Sequence, residues 1–150
     1  MKKFATLFSA LALTVMLVPT ASSASVSTED IKMESEPNDT MSSATRIDSV
    51  SQRMGTISTA DDVDWYFLTI GSLQTSPTAT FTLSNIPSGK DYDLMVYDQN
   101  NKLVGISTNA GNTDETVKFP IVPGATYYAK VYSYSGYSAS SYYLLSLNYN

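Results

Sequence analysis

The sequence predicts an all-β chain, an antiparallel sandwich or barrel of about eight short strands. Three observations carry this expectation. Stretches rich in Val, Ile, Thr, Tyr and Phe recur at short intervals from residue 53 to residue 149. Clusters of turn-forming residues separate them. Where the pattern is clearest, in 126–134, apolar and polar residues alternate with the period of two that a half-buried strand requires.

Taken in order, the chain opens with Lys2 and Lys3, a mostly apolar stretch from Phe4 to Val18, Pro19, and the small residues Thr20, Ala21, Ser22, Ser23 and Ala24. This is the pattern of a secretory signal peptide over 1–24, with cleavage expected after Ala24. The apolar run is shorter than the roughly 20 residues of a spanning helix and no second such run follows, so a secreted, extracellular product without a membrane anchor is expected. Residues 25–33 read as a polar linker or a single helical turn begun by Ser27 or Thr28. The 126 residues from Ser25 to Asn150 suffice for one domain, placed at 34–150, and a monomer is expected.

In E-S-E-P-N-D-T at 34–40, Pro37 forbids a helix interior, and Asn38 and Asp39 favour a turn. Met41 to Ala44 fit one short helical turn capped by Asp39 or Thr40. Strands are expected near 53–58, 64–70, 78–84, 92–98, 102–107, 115–121, 126–134 and 141–149. Turn chemistry divides them at Ala60-Asp61-Asp62, Ser76-Pro77, Pro87-Ser88-Gly89, Gln99-Asn100-Asn101, Ala110-Gly111-Asn112, Pro123-Gly124 and Ser135-Gly136.

Along 126–134, Tyr127, Ala129 and Val131 share one face, and Tyr128, Lys130, Tyr132 and Tyr134 the other. Lys130 marks the second face as the wet one. A row of tyrosines on a solvated sheet is either a binding surface, because tyrosine is rigid and amphipathic, or a set of cross-strand pairs that stabilises the sheet.

Composition narrows the chemistry. Without Lys2 and Lys3, seven basic residues stand against fourteen acidic ones, a net charge of −7, which disfavours nucleic acid and anionic membrane surfaces as partners. There is no cysteine, hence no disulfide and no thiol for lipid attachment. There is no histidine, which removes the imidazole base of Ser-His and Cys-His sites and the usual ligands of catalytic zinc. The remaining acid-base equipment is carboxylate pairs of the glycosidase kind, with Asp91 and Asp93 or Asp61 and Asp64 as candidates. Turn chemistry and metal ligation explain these aspartates better, so no enzyme activity and no catalytic residues are expected.

Two groups of oxygen ligands stand out: Glu34, Glu36, Asn38 and Asp39, then Asp61, Asp62 and Asp64. A hard cation such as calcium takes six to eight oxygens from such a set. Glu34 and Glu36 fall on one side of an extended segment, and Pro37 turns the chain so that Asn38 and Asp39 follow them toward one point. Asp61 and Asp64 flank a turn whose carbonyls, for instance that of Ser58, would complete the shell. The bland reading is a solvated acidic surface. No EF-hand loop is present.

At these residues the chain resembles the bacterial pre-peptidase C-terminal domain family, which includes the collagen-binding modules of clostridial collagenases. The motifs are E-S-E-P-N-D-T at 34–40, G-T-I-S at 55–58, D-D-V-D-W-Y at 61–66, D-Y-D-L-M-V-Y-D at 91–98, P-G-A-T-Y-Y-A-K-V-Y-S-Y at 123–134 and the ending S-Y-Y-L-L-S-L. The resemblance implies a jelly-roll-like β-sandwich with calcium as cofactor, held by Glu34, Glu36, Asn38, Asp39, Asp61, Asp64 and the backbone carbonyl of Ser58. Either Asp61 or Asp62 would point inward. It also implies that Tyr128, Tyr132 and Tyr134 contact a ligand, an extracellular protein polymer of the collagen kind. A polysaccharide is the alternative partner, with Trp65 and Phe67 stacking on sugar rings as in a carbohydrate-binding module or a cell-wall-associated accessory protein.

Overall fold

The computed structural model describes residues 31–47 and 52–150. The signal-peptide assignment and most of the linker assignment lie outside the described residues. Within them the chain forms a 3₁₀ turn at Met41–Ser43 and ten strands: β1 (Ile31–Met33), β2 (Thr45–Arg46), β3 (Gln52–Gly55), β4 (Val63–Thr69), β5 (Thr78–Ser84), β6 (Asp91–Asp98), β7 (Leu103–Ser107), β8 (Glu115–Pro120), β9 (Thr126–Ser135) and β10 (Tyr143–Tyr149). Two five-stranded sheets pack as a sandwich, one in the order β1-β3-β10-β5-β8 and the other β2-β4-β9-β6-β7.

All eight expected strands are present, and their alternation makes the core. From the first sheet Phe81, Leu83, Phe119, Tyr143 and Leu145 point inward; from the second come Tyr66, Leu68, Tyr92, Leu94, Val96, Ala129 and Val131. Each large side chain so buried contributes on the order of 1.5–3 kcal/mol. Phe81 and Phe119 stack at 5.6 Å within their sheet, and Phe119 meets Tyr127 of the facing sheet at 5.2 Å.

Two elements were not expected. Ile31–Met33, assigned to the linker, is a strand that runs parallel to β3, and Thr45–Arg46 runs parallel to β4. The sandwich is therefore antiparallel except at these two edges. Both strands are too short to show a period, and β1 is exposed along its length, so local patterning could not reveal either. The helical turn is where the sequence places it. Thr40 caps it, accepting from the Ser43 amide while the Ser43 side chain accepts from the Thr40 amide.

These edge strands position the site. The segment between them leaves the first sheet at Glu34, whose amide donates to the Met54 carbonyl at 2.9 Å, and joins the second at Asn38, whose carbonyl accepts from the Trp65 amide at 2.9 Å. It closes one end of the sandwich.

Candidate metal centre

Glu34, Glu36 and Asp64 each bring one carboxylate oxygen to within 4.8 Å of the others. Asp64 is fully buried, Glu34 is half-buried and Glu36 is exposed, so the group runs from the core to the surface. Asp64 alternates inward with Tyr66 along β4, as the period of two demands. Glu34 Oε1 accepts from the Thr56 amide at 2.7 Å, and Glu36 Oε2 accepts from the Asn38 amide at 3.0 Å. The Glu36-Pro37 peptide is cis.

Behind the carboxylates lie two buried tyrosines that the sequence reading missed. The Tyr66 hydroxyl donates to Glu34 Oε2 at 2.8 Å, the Tyr143 hydroxyl donates to Asp64 Oδ2 at 2.5 Å, and the two hydroxyls are 2.6 Å apart. Tyr66 was recoverable from its two-residue spacing to Asp64. Tyr143 was not, because it comes from β10 of the other sheet. Gly55 makes room for the group: a Cβ there would lie 2.3 Å from the Tyr143 hydroxyl oxygen and 2.6 Å from Glu34 Oε2. The glycine is required by close approach rather than by its torsions.

This row of four oxygens has three short contacts, which need three protons, and the two hydroxyls hold two. With Tyr66 donating to Glu34 and Tyr143 to Asp64, the contact between the two hydroxyls has no proton of its own, which disfavours ionised carboxylates at both ends of the row. Electrostatics agrees: burial, then the charge of Glu34, push the Asp64 carboxyl up to about 9 against the opposing effect of the Tyr143 hydrogen bond. Burial also raises Glu36, with Glu34, Asp62 and Asp39 adding repulsion. The neighbouring charges that act most on Asp64 and Glu36 are all carboxylates.

Asn38 tests whether a cation fits. Its side chain is fully buried. In one orientation the amide nitrogen donates to Asp64 Oδ1 and to Glu36 Oε2, both at 3.1 Å; in the other it faces Glu34 Oε2 at 3.5 Å and Thr45 Oγ1 at 3.4 Å, and the amide oxygen turns to the two carboxylates. The first suits the metal-free protein. The second gathers oxygens of Asn38, Asp64 and Glu36 with no amide donor among them, an arrangement that a bound cation would satisfy. The residues therefore fit calcium.

The remaining sequence candidates lie beside this group. Glu36, Asp39, Thr56, Ser58, Thr59, Asp61 and Asp62 line an open depression of about 480 Å³. Asp61 and Asp39 are exposed there. Asp62 is the inward member of its pair, only 8% exposed, and its Oδ2 accepts from the Ser58 amide at 2.5 Å. It shapes the loop from which the Ser58 carbonyl would be presented.

The tyrosines of β9 stand elsewhere, on the outer face of the second sheet. Tyr128 and Tyr132 are half-buried and Tyr134 is 74% exposed. Tyr128 lies 6.4 Å from Phe67, Trp65 lies 5.4 Å from Tyr97, and Lys130 Nζ sits over the Trp65 and Tyr132 rings at 5.7 and 5.3 Å. Trp65 belongs to this outer surface.

This sandwich matches a solved structure, the pre-peptidase C-terminal domain of collagenase from Bacillus anthracis, with a TM-score of 0.56 over 70% of this chain and 94% of that one. The chain has the pre-peptidase C-terminal fold. Sequence identity is 22%, so the likeness speaks for the fold alone. A looser match, with a TM-score of 0.48, 11% identity and coverage of 80% of this chain and 99% of the other, is to PliG of Aeromonas hydrophila, a periplasmic inhibitor of g-type lysozyme. No protein-family model and no curated protein sequence matches the chain.

Proposed function

We propose that this chain is an exported, non-catalytic module that binds calcium and uses its outer aromatic face to hold an extracellular protein polymer. The observation that carries the calcium reading is the convergence of Glu34, Glu36, Asp64 and buried Asn38, with no positive charge among the groups acting most strongly on Asp64. The ion would be held by those four side chains, with Asp39, Asp61 and Ser58 lining the depression beside them. When bound it supplies the positive charge that the cluster lacks. It would tie the segment from Glu34 to Asn38 to the ends of both sheets, a structural role rather than a catalytic one. Calorimetric titration of calcium into chelator-treated protein tests this, and absence of saturable binding at millimolar calcium refutes it.

For the aromatic face, the support is Tyr128 and Tyr132 on one side of β9, with exposed Tyr134 at the irregularity in its pairing with β6, flanked by Trp65, Phe67 and Tyr97. A polyproline-like rod of the collagen kind suits such a stripe, and the similarly folded Bacillus anthracis domain belongs to a collagenase. Retention on collagen and on cell-wall fractions, compared with Tyr132→Ala and Tyr134→Ala, tests it. The tilted Trp65–Tyr97 pair favours one alternative, stacking on a polysaccharide, which a glycan array separates from protein binding.

A further inference from the structure

A second pocket, of about 430 Å³, opens where the tyrosine row ends. Asp91, Asp93, Thr108, Asn109, Ala110, Tyr132 and Tyr134 line it. It lies between the paired ends of β6 and β9, where Asp93 stands opposite Tyr132 and Asp91 opposite Ser135, and the loop that joins β7 to β8.

Its chemistry is one-sided. Asp91 Oδ1 is shielded from solvent and has no hydrogen-bond partner, whereas Asp93, 3% exposed, accepts from the Tyr132 hydroxyl. Fully buried Glu115 lies close enough to act on both, with the Ser107 hydroxyl donating to one of its oxygens and the Asn109 amide donating to the other at 2.7 Å. Burial raises Glu115 and Asp93, and the neighbouring charges that act on them most are again carboxylates. Tyr134 adds an exposed ring at the rim, and the Tyr132 ring already attracts an ammonium group, that of Lys130.

We propose that this pocket accepts a lysine or arginine side chain of the polymer held by the aromatic face, a step that rests on reading that face as a binding surface. Aromatic rings and carboxylates together recognise an alkylammonium or guanidinium group. The volume is in the range of pockets that hold small ligands. A bare divalent cation fits less well: Asp93 and Glu115 already spend oxygens on Tyr132, Ser107 and Asn109, and rings line the mouth where six to eight oxygens would be needed. The partner is thus a polymer with basic side chains along its length, drawn to a module of net charge −7 once Lys2 and Lys3 are excluded.

Amide NMR shifts of the protein in constant millimolar calcium test this, with Nα-acetyl-lysine amide, Nα-acetyl-arginine amide and the uncharged Nα-acetyl-norleucine amide as probes. The two cationic probes should shift Asn109, Ala110 and Tyr134, norleucine should not, and Asp91→Asn or exposed Tyr134→Ala should weaken binding by about fivefold or more. Equal shifts from norleucine, or no loss in either variant, overturn the proposal. So does saturation of the same residues by calcium alone, which makes the pocket a second cation site. Shifts from the lysine probe without retention on collagen or cell-wall fractions support the pocket and remove the polymer reading. Retention that depends on Tyr128 with no shift from either cationic probe removes the pocket alone.

Discussion

Tyr143 and Asp64 join the two sheets of the sandwich: the hydroxyl from β10 donates to the carboxylate from β4 at 2.5 Å, inside the core. The contact sits directly beneath the proposed calcium site, so the site and the stability of the domain share one set of bonds.

Calcium should therefore stabilise the fold measurably. At a concentration a hundredfold above its dissociation constant it adds about 2.7 kcal/mol, a rise in melting temperature of roughly 10 °C for a domain of this size. Identical melting curves in EDTA and in millimolar calcium would rule the site out.

The dependence on pH has a definite sign. Asp64 is held up to about 9 in the metal-free fold, above the ordinary aspartate range of the unfolded chain. Between those values the native state binds more protons than the unfolded one, so its stability falls as pH rises through that window. Calcium competes with the same proton, so calcium affinity rises over the same range. Thermal melts from pH 5 to pH 9, with and without EDTA, should diverge steadily as pH increases; parallel curves contradict the assignment.

Asp64→Asn separates the two roles of the buried carboxylate. It should abolish the calcium-dependent rise in melting temperature, yet leave the EDTA-treated protein as stable as the parent or more so at pH 8, because asparagine needs no proton there whereas Asp64, held up to about 9 in the metal-free fold, must take one up on folding. The same substitution at exposed Asp61 should weaken calcium binding less. A reversed ranking in calorimetry would move the site outward.

Tyr143→Phe removes a buried donor to a carboxylate and should cost about 1.5–3 kcal/mol in denaturant unfolding with calcium present. Gly55→Ala drives a methyl group into the Tyr143 and Glu34 oxygens and should cost about 1–3 kcal/mol while weakening calcium binding. Wild-type stability in both variants would show that the tyrosine row bears no load.

Tyr134→Ala should leave the melting temperature unchanged, since the side chain is 74% exposed, while lowering retention on the polymer. Loss of stability in this variant would count it as a structural residue instead.

The sequence by itself determined the strands and their faces, because alternation is a local property that each strand carries in its own residues. It placed Tyr127, Ala129 and Val131 in the core and their neighbours on the surface, as found. It also marked Glu34, Glu36, Asn38 and Asp64 as oxygen ligands. Only the tertiary structure decided which oxygens meet. Asp64 and Tyr143 are 79 positions apart and Glu34 and Tyr143 are 109 apart, so their contact depends on how two sheets are stacked and in what register. The choice of Asp62 over Asp61 as the inward residue likewise followed from a loop folding back on the Ser58 amide. Short β1 and β2 had no period to read, yet their pairing brings the segment of Glu34 to Asn38 onto the end of the sandwich. The acidic residues are a local inheritance of the chain, and their convergence on one point, close to two buried tyrosines, is a product of packing.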